Sequence, residues 1–252
     1  MNPDRFGCEL EFIVNDGKDQ EVYKKLKSLY GDRVLMDITK STIPSDPKFK
    51  KTHFKADNSL ESKMGRELTS PICNIEELKQ YFSDFRKIIN EFGITNELTG
   101  LHIHMSCSNT QVDEIDLCKF VLLSDIHELL GNWGKRNRYC LNIMDIMGYL
   151  EFEDVKYSKE AKGRVWNMLK RDTHHIEIRT FGGENYQNKI EQVEQELAQY
   201  CQIFNHSTDD TYTSQAYLSK LEEHAENLAL LSDEEIDDYL LHFPEIEPFI
   251  NP

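Results

Sequence analysis

Apolar and polar positions recur along this chain with two different periods. Steps of two, the mark of a half-buried strand, run through residues 6–14. Steps of three and four follow at 19–30, where Val22, Leu26 and Leu29 share a helix face and Gly31 is the stop. Residues 40–52, with Pro44, Pro47 and several lysines, read as a loop. Strands are expected at 52–61 and 66–72. Asn74 with Glu77 three residues on makes a capping box. It opens a helix whose apolar stripe is Leu78, Tyr81, Phe82, Phe85, Ile88, Ile89 and Phe92, ended by Gly93. A strand at 98–107 precedes helices from Asp113 to Gly131 and at 135–147, and a further strand covers 174–181. Beyond Gly183 the pattern is helical. Tyr186, Ile190, Val193, Leu197, Tyr200 and Phe204 form one stripe, and Leu218, Leu221, Ala225 and Leu228 a second. A third helix starts at the capping box Ser232 to Glu235. Strands and helices do not alternate as βαβ units, which predicts an α+β fold.

Three of the strands carry an unusual second face. Side chains of a strand point alternately to opposite sides. In residues 7–12, Cys8, Leu10 and Phe12 oppose Gly7, Glu9 and Glu11. In 101–106, Leu101, Ile103 and Met105 oppose His102, His104 and Ser106. In 176–179, Ile176 and Ile178 oppose Glu177 and Arg179. Any one of these fits a solvated sheet face. Together they concentrate carboxylates and imidazoles where exposed strands favour Thr, Lys and mixed polar residues. Unpaired carboxylates on a covered face cost several kcal/mol each, roughly, unless a cation neutralises them. Carboxylates with few imidazoles suit Mg²⁺ or Mn²⁺ better than Zn²⁺. Glu67 adds a carboxylate on a neighbouring strand, while Glu61 sits near a turn and is a weaker candidate.

Charge and composition narrow the partners. The 252 residues carry a net charge of −16, which argues against general nucleic-acid binding. From Glu184 onward there are 16 acidic and 2 basic residues, so residues 1–183 are nearly balanced and the excess lies at the C-terminal end. That division reads as a catalytic body, 1–183, and an acidic helical segment, 184–252, packed on it. No apolar run is long enough to span a membrane, and Met1 to Arg5 lack a signal-peptide core. Six cysteines at 8, 73, 107, 118, 140 and 201 form no CxxC, so buried thiols in a reducing cytoplasm are expected, and the Asn205-His206-Ser207 sequon is accidental. The chain has no GxxxxGK[ST], GxGxxG or GxSxG, and His127-Glu128 lacks the second His of HExxH. If ATP binds, metals and basic side chains must hold its phosphates.

The segments FGCELEF, ADNSLESKMGRELTSP, TGLHIHMS and HHIEIRTFGG, in this order between Phe6 and Gly183, resemble the amidoligase family, relatives of glutamine synthetase and glutamate–cysteine ligase. The resemblance implies a curved antiparallel sheet, a partial barrel, with helices on its outer face. It implies an ATP-dependent carboxylate–amine ligase with two or three divalent metals, for which Mg²⁺ or Mn²⁺ fit the ligands. By the same resemblance Glu9, Glu11, Glu67, His102 and Glu177 hold metals, His104 contacts ATP phosphate, and Ser106 lies near the nucleotide. Arg179 meets the transferred phosphate, and Arg138 matches an upstream phosphate- or substrate-binding arginine more loosely; Arg164 is a further basic candidate.

The implied reaction activates a carboxylate, from a small molecule or a peptide, as an acyl phosphate that an amine then attacks. Two other readings stand beside it. A metal-dependent hydrolase would use His102 and His104 to activate water, leaving Glu9 and Glu11 unexplained. A non-catalytic binding protein would keep the sheet without turnover. The complete set of Glu9, Glu11, Glu67, His102, Glu177 and Arg179 argues against that loss.

Overall fold

The computed structural model describes residues 2–39, 50–60, 62–108, 120, 166–167 and 175–208. Apart from Phe120, the expected helices at 113–131 and 135–147, those after residue 208, and most of the 40–52 loop lie outside the described residues. So do Glu61, Arg138 and Arg164.

One mixed sheet organises these residues. Its strands are β1 (Arg5–Val14), β2 (Val34–Asp37), β3 (Thr52–Ala56), β4 (Gly65–Thr69), β5 (Gly93–Ile94), β6 (Gly100–Ser106), β7 (Trp166–Asn167) and β8 (Ile176–Gly182). They lie in the order β2-β3-β4-β1-β6-β8-β7, with β5 pairing beside β1. The sheet is open between β2 and β7 and is antiparallel except for one pair. The expected antiparallel sheet is met in the other described pairs, and β2 and β3 depart from it by running parallel. Residues 38–51 separate these two strands, the length of connection that a parallel crossover requires.

Three described helices, α1 (Asp19–Tyr30), α2 (Ile75–Phe92) and α3 (Ile190–Ser207), share one apolar core with the sheet. Cys8, Leu10 and Phe12 of β1 and Leu101, Ile103 and Met105 of β6 are fully buried in it. The α2 stripe from Leu78 to Ile89 is buried as its spacing predicts. Its N-terminus is closed by the capping box: Asn74 Oδ1 accepts from Glu77 N, and Glu77 Oε2 accepts from Asn74 N. On α3, Tyr200 meets Phe181 edge to face at 6.2 Å, which seats the helix against β8. The sequon lies in the last turn of α3, where the buried Ser207 hydroxyl donates to Ile203 O. Cys8, Cys73, Cys107 and Cys201 are free thiols.

Several boundaries differ from the sequence pattern for local reasons. Leu29 is exposed, and Tyr30 stacks on Tyr81 of α2 instead. The strand expected at 52–61 stops at Ala56, because Asp57 Oδ1 accepts from both the amide and the hydroxyl of Ser59 and folds the chain into a short 3₁₀ turn. The next strand ends before Pro71, which cannot donate to a ladder. Tyr186 belongs to a 3₁₀ turn ahead of α3 rather than to the helix itself. Strands β2, β5 and β7 are too short to show a period. In β8 the register shifts between the partners of Leu101 and Ile103, so that Phe181 and Ile178, three positions apart, both face the core. That is a bulge, and simple alternation would have sent Phe181 to the polar side.

Candidate metal and phosphate site

The face opposite the core is built by register. Lys55 of β3 pairs with Glu67 of β4, and Glu67 pairs with Glu11 of β1. One row along, His53 pairs with Thr69, Thr69 with Glu9, and Glu9 with His102 of β6. The next row brings Gly7, His104 and Glu177 together across β1, β6 and β8. Alternation along five strands therefore converges on one polar surface, with the apolar side chains holding it rigidly from below.

His102 stands at its centre. Its Nδ1 lies 3.5 Å from Glu9 Oε2 and 3.5 Å from Glu177 Oε1, and its Nε2 lies 3.7 Å from Glu11 Oε1. Burial and the nearby Arg179 guanidinium hold its pKa below the ordinary imidazole value. That shift favours the neutral ring, which keeps one nitrogen lone pair available to a cation. His104 Nε2 sits 3.4 Å from Glu9 Oε1, and neither buried ring nitrogen of His104 has a hydrogen-bond partner. One donor atom from each of Glu9, His104 and Glu177 falls within 4.8 Å of the others, the group among the described residues compact enough to hold a cation together.

The other charges are pinned by specific partners. Glu11 Oε2 accepts the Gly100 amide at 2.8 Å. A side chain at Gly100 would crowd that contact, since its Cβ would stand 3.2 Å from Glu11 Oε2 and 3.3 Å from His102 Nε2. Arg179 Nη1 donates to Glu177 Oε1 at 2.7 Å. Lys55 Nζ lies 2.8 Å from Glu67 Oε1, which also accepts from the Thr69 hydroxyl at 2.7 Å.

Among the described residues carboxylates outnumber cations on this face, and their proton affinities register it. Burial, then the charges of Asp57 and Glu67, pushes Glu11 well above the usual carboxylate range. Burial, then Glu9, pushes Glu67 up to about 7 against the pull of Lys55. A carboxyl whose pKa is raised on folding favours the fold while it is protonated and withdraws that support as pH climbs through the folded value. With chelator present, stability to urea is thus expected to fall from about pH 4.5, the unfolded value, to about pH 7. Divalent cation should flatten the profile. Denaturation midpoints across that range check both.

The structure thus brings together Glu9, Glu11, His102, His104, Glu177 and Arg179, with Glu67 one strand away and Ser106 at the far end of β6, opposite Arg5. Sequence reasoning missed His53 and Lys55 on this face. The signal was present, since His53, Lys55 and Asp57 alternate in the segment preceding the Asp57 turn. A family model described as "putative amidoligase enzyme" matches residues 2–177, from β1 as far as Glu177. No curated protein matches the chain.

Proposed function

The chain belongs to the amidoligase family, and on that premise we propose that it is an ATP- and Mg²⁺-dependent carboxylate–amine ligase on a glutamine synthetase-like sheet. The observation that carries this reading is the compact Glu9–His104–Glu177 group with Arg179 bonded to its Glu177. A divalent cation fits it on three counts. The donors are hard oxygens with imidazole nitrogen. The ring nitrogens of His104 have no other hydrogen-bond partner. Among the described residues, the carboxylates of Glu9, Glu11, Glu67 and Glu177 share this face with the cations of Lys55 and Arg179. Glu9, His104 and Glu177 would hold the ion, with His102 and Glu11 alongside. Bound there, it would neutralise charge on the phosphate oxygens during transfer.

In the proposed reaction a substrate carboxylate oxygen attacks the γ-phosphorus of ATP, the bond to the β–γ bridging oxygen breaks, and ADP leaves. The resulting acyl phosphate is attacked at carbon by an amine. The C–O bond to phosphate breaks, the amine gives up a proton to solvent or a base, and amide and phosphate result. Activation is required because a carboxylate is a poor acyl donor at neutral pH. Arg179 contributes planar N–H donors to the equatorial oxygens, and the buried, nearly dry sheet face strengthens that interaction. The substrates are a small-molecule or peptide carboxylate and an amine.

Because the chain carries no glycine-rich phosphate loop, ATP should bind weakly with chelator and much more tightly with Mg²⁺. Calorimetric titration under both conditions tests this, and tight metal-free binding would place the phosphates elsewhere.

A further inference from the structure

Glu67 shares the face of the proposed metal ligands, yet its carboxylate is already engaged. Oε1 takes Lys55 Nζ at 2.8 Å and the Thr69 hydroxyl at 2.7 Å. The pair is set by strand register and is nearly dry, with side-chain exposures of 12% for Lys55 and 10% for Glu67. Glu177 also bonds a cation, Arg179, but it reaches within 4.8 Å of the donors of Glu9 and His104. Glu67 joins no such group of three among the described residues. Both contacts fall on Oε1, so a dication taken by Glu67 would have to sit beside the buried ammonium of Lys55, which repulsion opposes.

We propose that Lys55 is a built-in cation occupying the β3–β4 end of the polar face, where a further divalent ion would otherwise sit, and that Glu67 positions Lys55 instead of binding metal. The proposal rests on the reading of Glu9, His104 and Glu177 as metal ligands, and it departs from the role that the family resemblance gives Glu67. It divides the face into a metal end on β1, β6 and β8 and an ammonium end on β3 and β4.

Calorimetric titration of the full chain with Mn²⁺ tests it. Glu67→Gln should keep the wild-type number of ions and an affinity within about twofold, whereas a lost metal-site partner costs about tenfold or more. Lys55→Met should free Glu67 and gain an additional Mn²⁺ equivalent. If either variant fails to fold, Lys55→Met/Glu67→Gln, which removes both charges together, should bind as wild type does. Loss of affinity or of an ion in Glu67→Gln or in the double variant, or an unchanged ion count in a folded Lys55→Met, would overturn the role of Lys55. Failure of wild type to bind Mn²⁺, or wild-type binding by Glu9→Gln, would instead remove the metal end, and this proposal with it.

Discussion

Glu9→Gln is expected to lower Mn²⁺ affinity by about a hundredfold or more, beyond the range of about 10–100-fold typical of losing a supporting residue around a metal. Glu9 is the carboxylate that links both imidazoles. Its Oε1 lies 3.4 Å from His104 Nε2 and its Oε2 3.5 Å from His102 Nδ1. It also supplies one corner of the compact donor group. Gln preserves the shape and one acceptor oxygen but removes the charge that a hard dication needs. The fold should survive, because the neighbours that β1 contributes to the core, Cys8 and Leu10, are untouched and fully buried. Calorimetry beside a thermal melt separates the two effects: an unfolded variant and a folded variant with weakened binding give different melts. Equal Mn²⁺ affinity in a folded Glu9→Gln would show that the ion is held elsewhere.

Arg179→Lys should slow ATP-dependent turnover by about two orders of magnitude, the cost of removing one donor aimed at developing charge. Lysine keeps the positive charge and loses the planar fork that can address two phosphate oxygens together. Arg179 bonds Glu177 through Nη1 at 2.7 Å, so it is held beside the proposed metal group rather than swinging in solvent. Ile176 and Ile178 stay in the core, and stability should change little. If Arg179 served only to balance Glu177, the rate would hold and the melting temperature would fall. Measuring kcat and the melt on one preparation decides between those outcomes.

The polar face was legible in the sequence because its chemistry is written in period two. Glu9-x-Glu11, His102-x-His104 and Glu177-x-Arg179 each sit on a strand whose other face is apolar, and the observed registers place all three side by side. Helix α2 was equally plain, since its stripe and its capping box agree. What remained hidden depends on partners distant in the chain. The parallel pairing of β2 with β3 leaves no mark on four residues of β2. The bulge in β8 is set by its pairing with β6, not by its own residues. Lys55 lies in an expected strand, but nothing in its own segment says which carboxylate it faces until the register sets it opposite Glu67. The position of Glu67 was readable from its strand, whereas its engagement by Lys55 was not, because an ion pair across strands is a property of two segments at once.

A face that joins a carboxylate to an amine at the expense of ATP leaves a record in its products. The chain should be incubated with ATP, Mg²⁺ and a mixture of amino acids whose carboxylates carry heavy oxygen, and products followed by mass spectrometry. The expected result is a condensed product that has lost one water, together with heavy oxygen in the released phosphate, which only passage through an acyl phosphate delivers. Condensation with unlabelled phosphate would contradict the mechanism. Hydrolysis of an amide without ATP, by the same preparation, would contradict the ligase assignment itself.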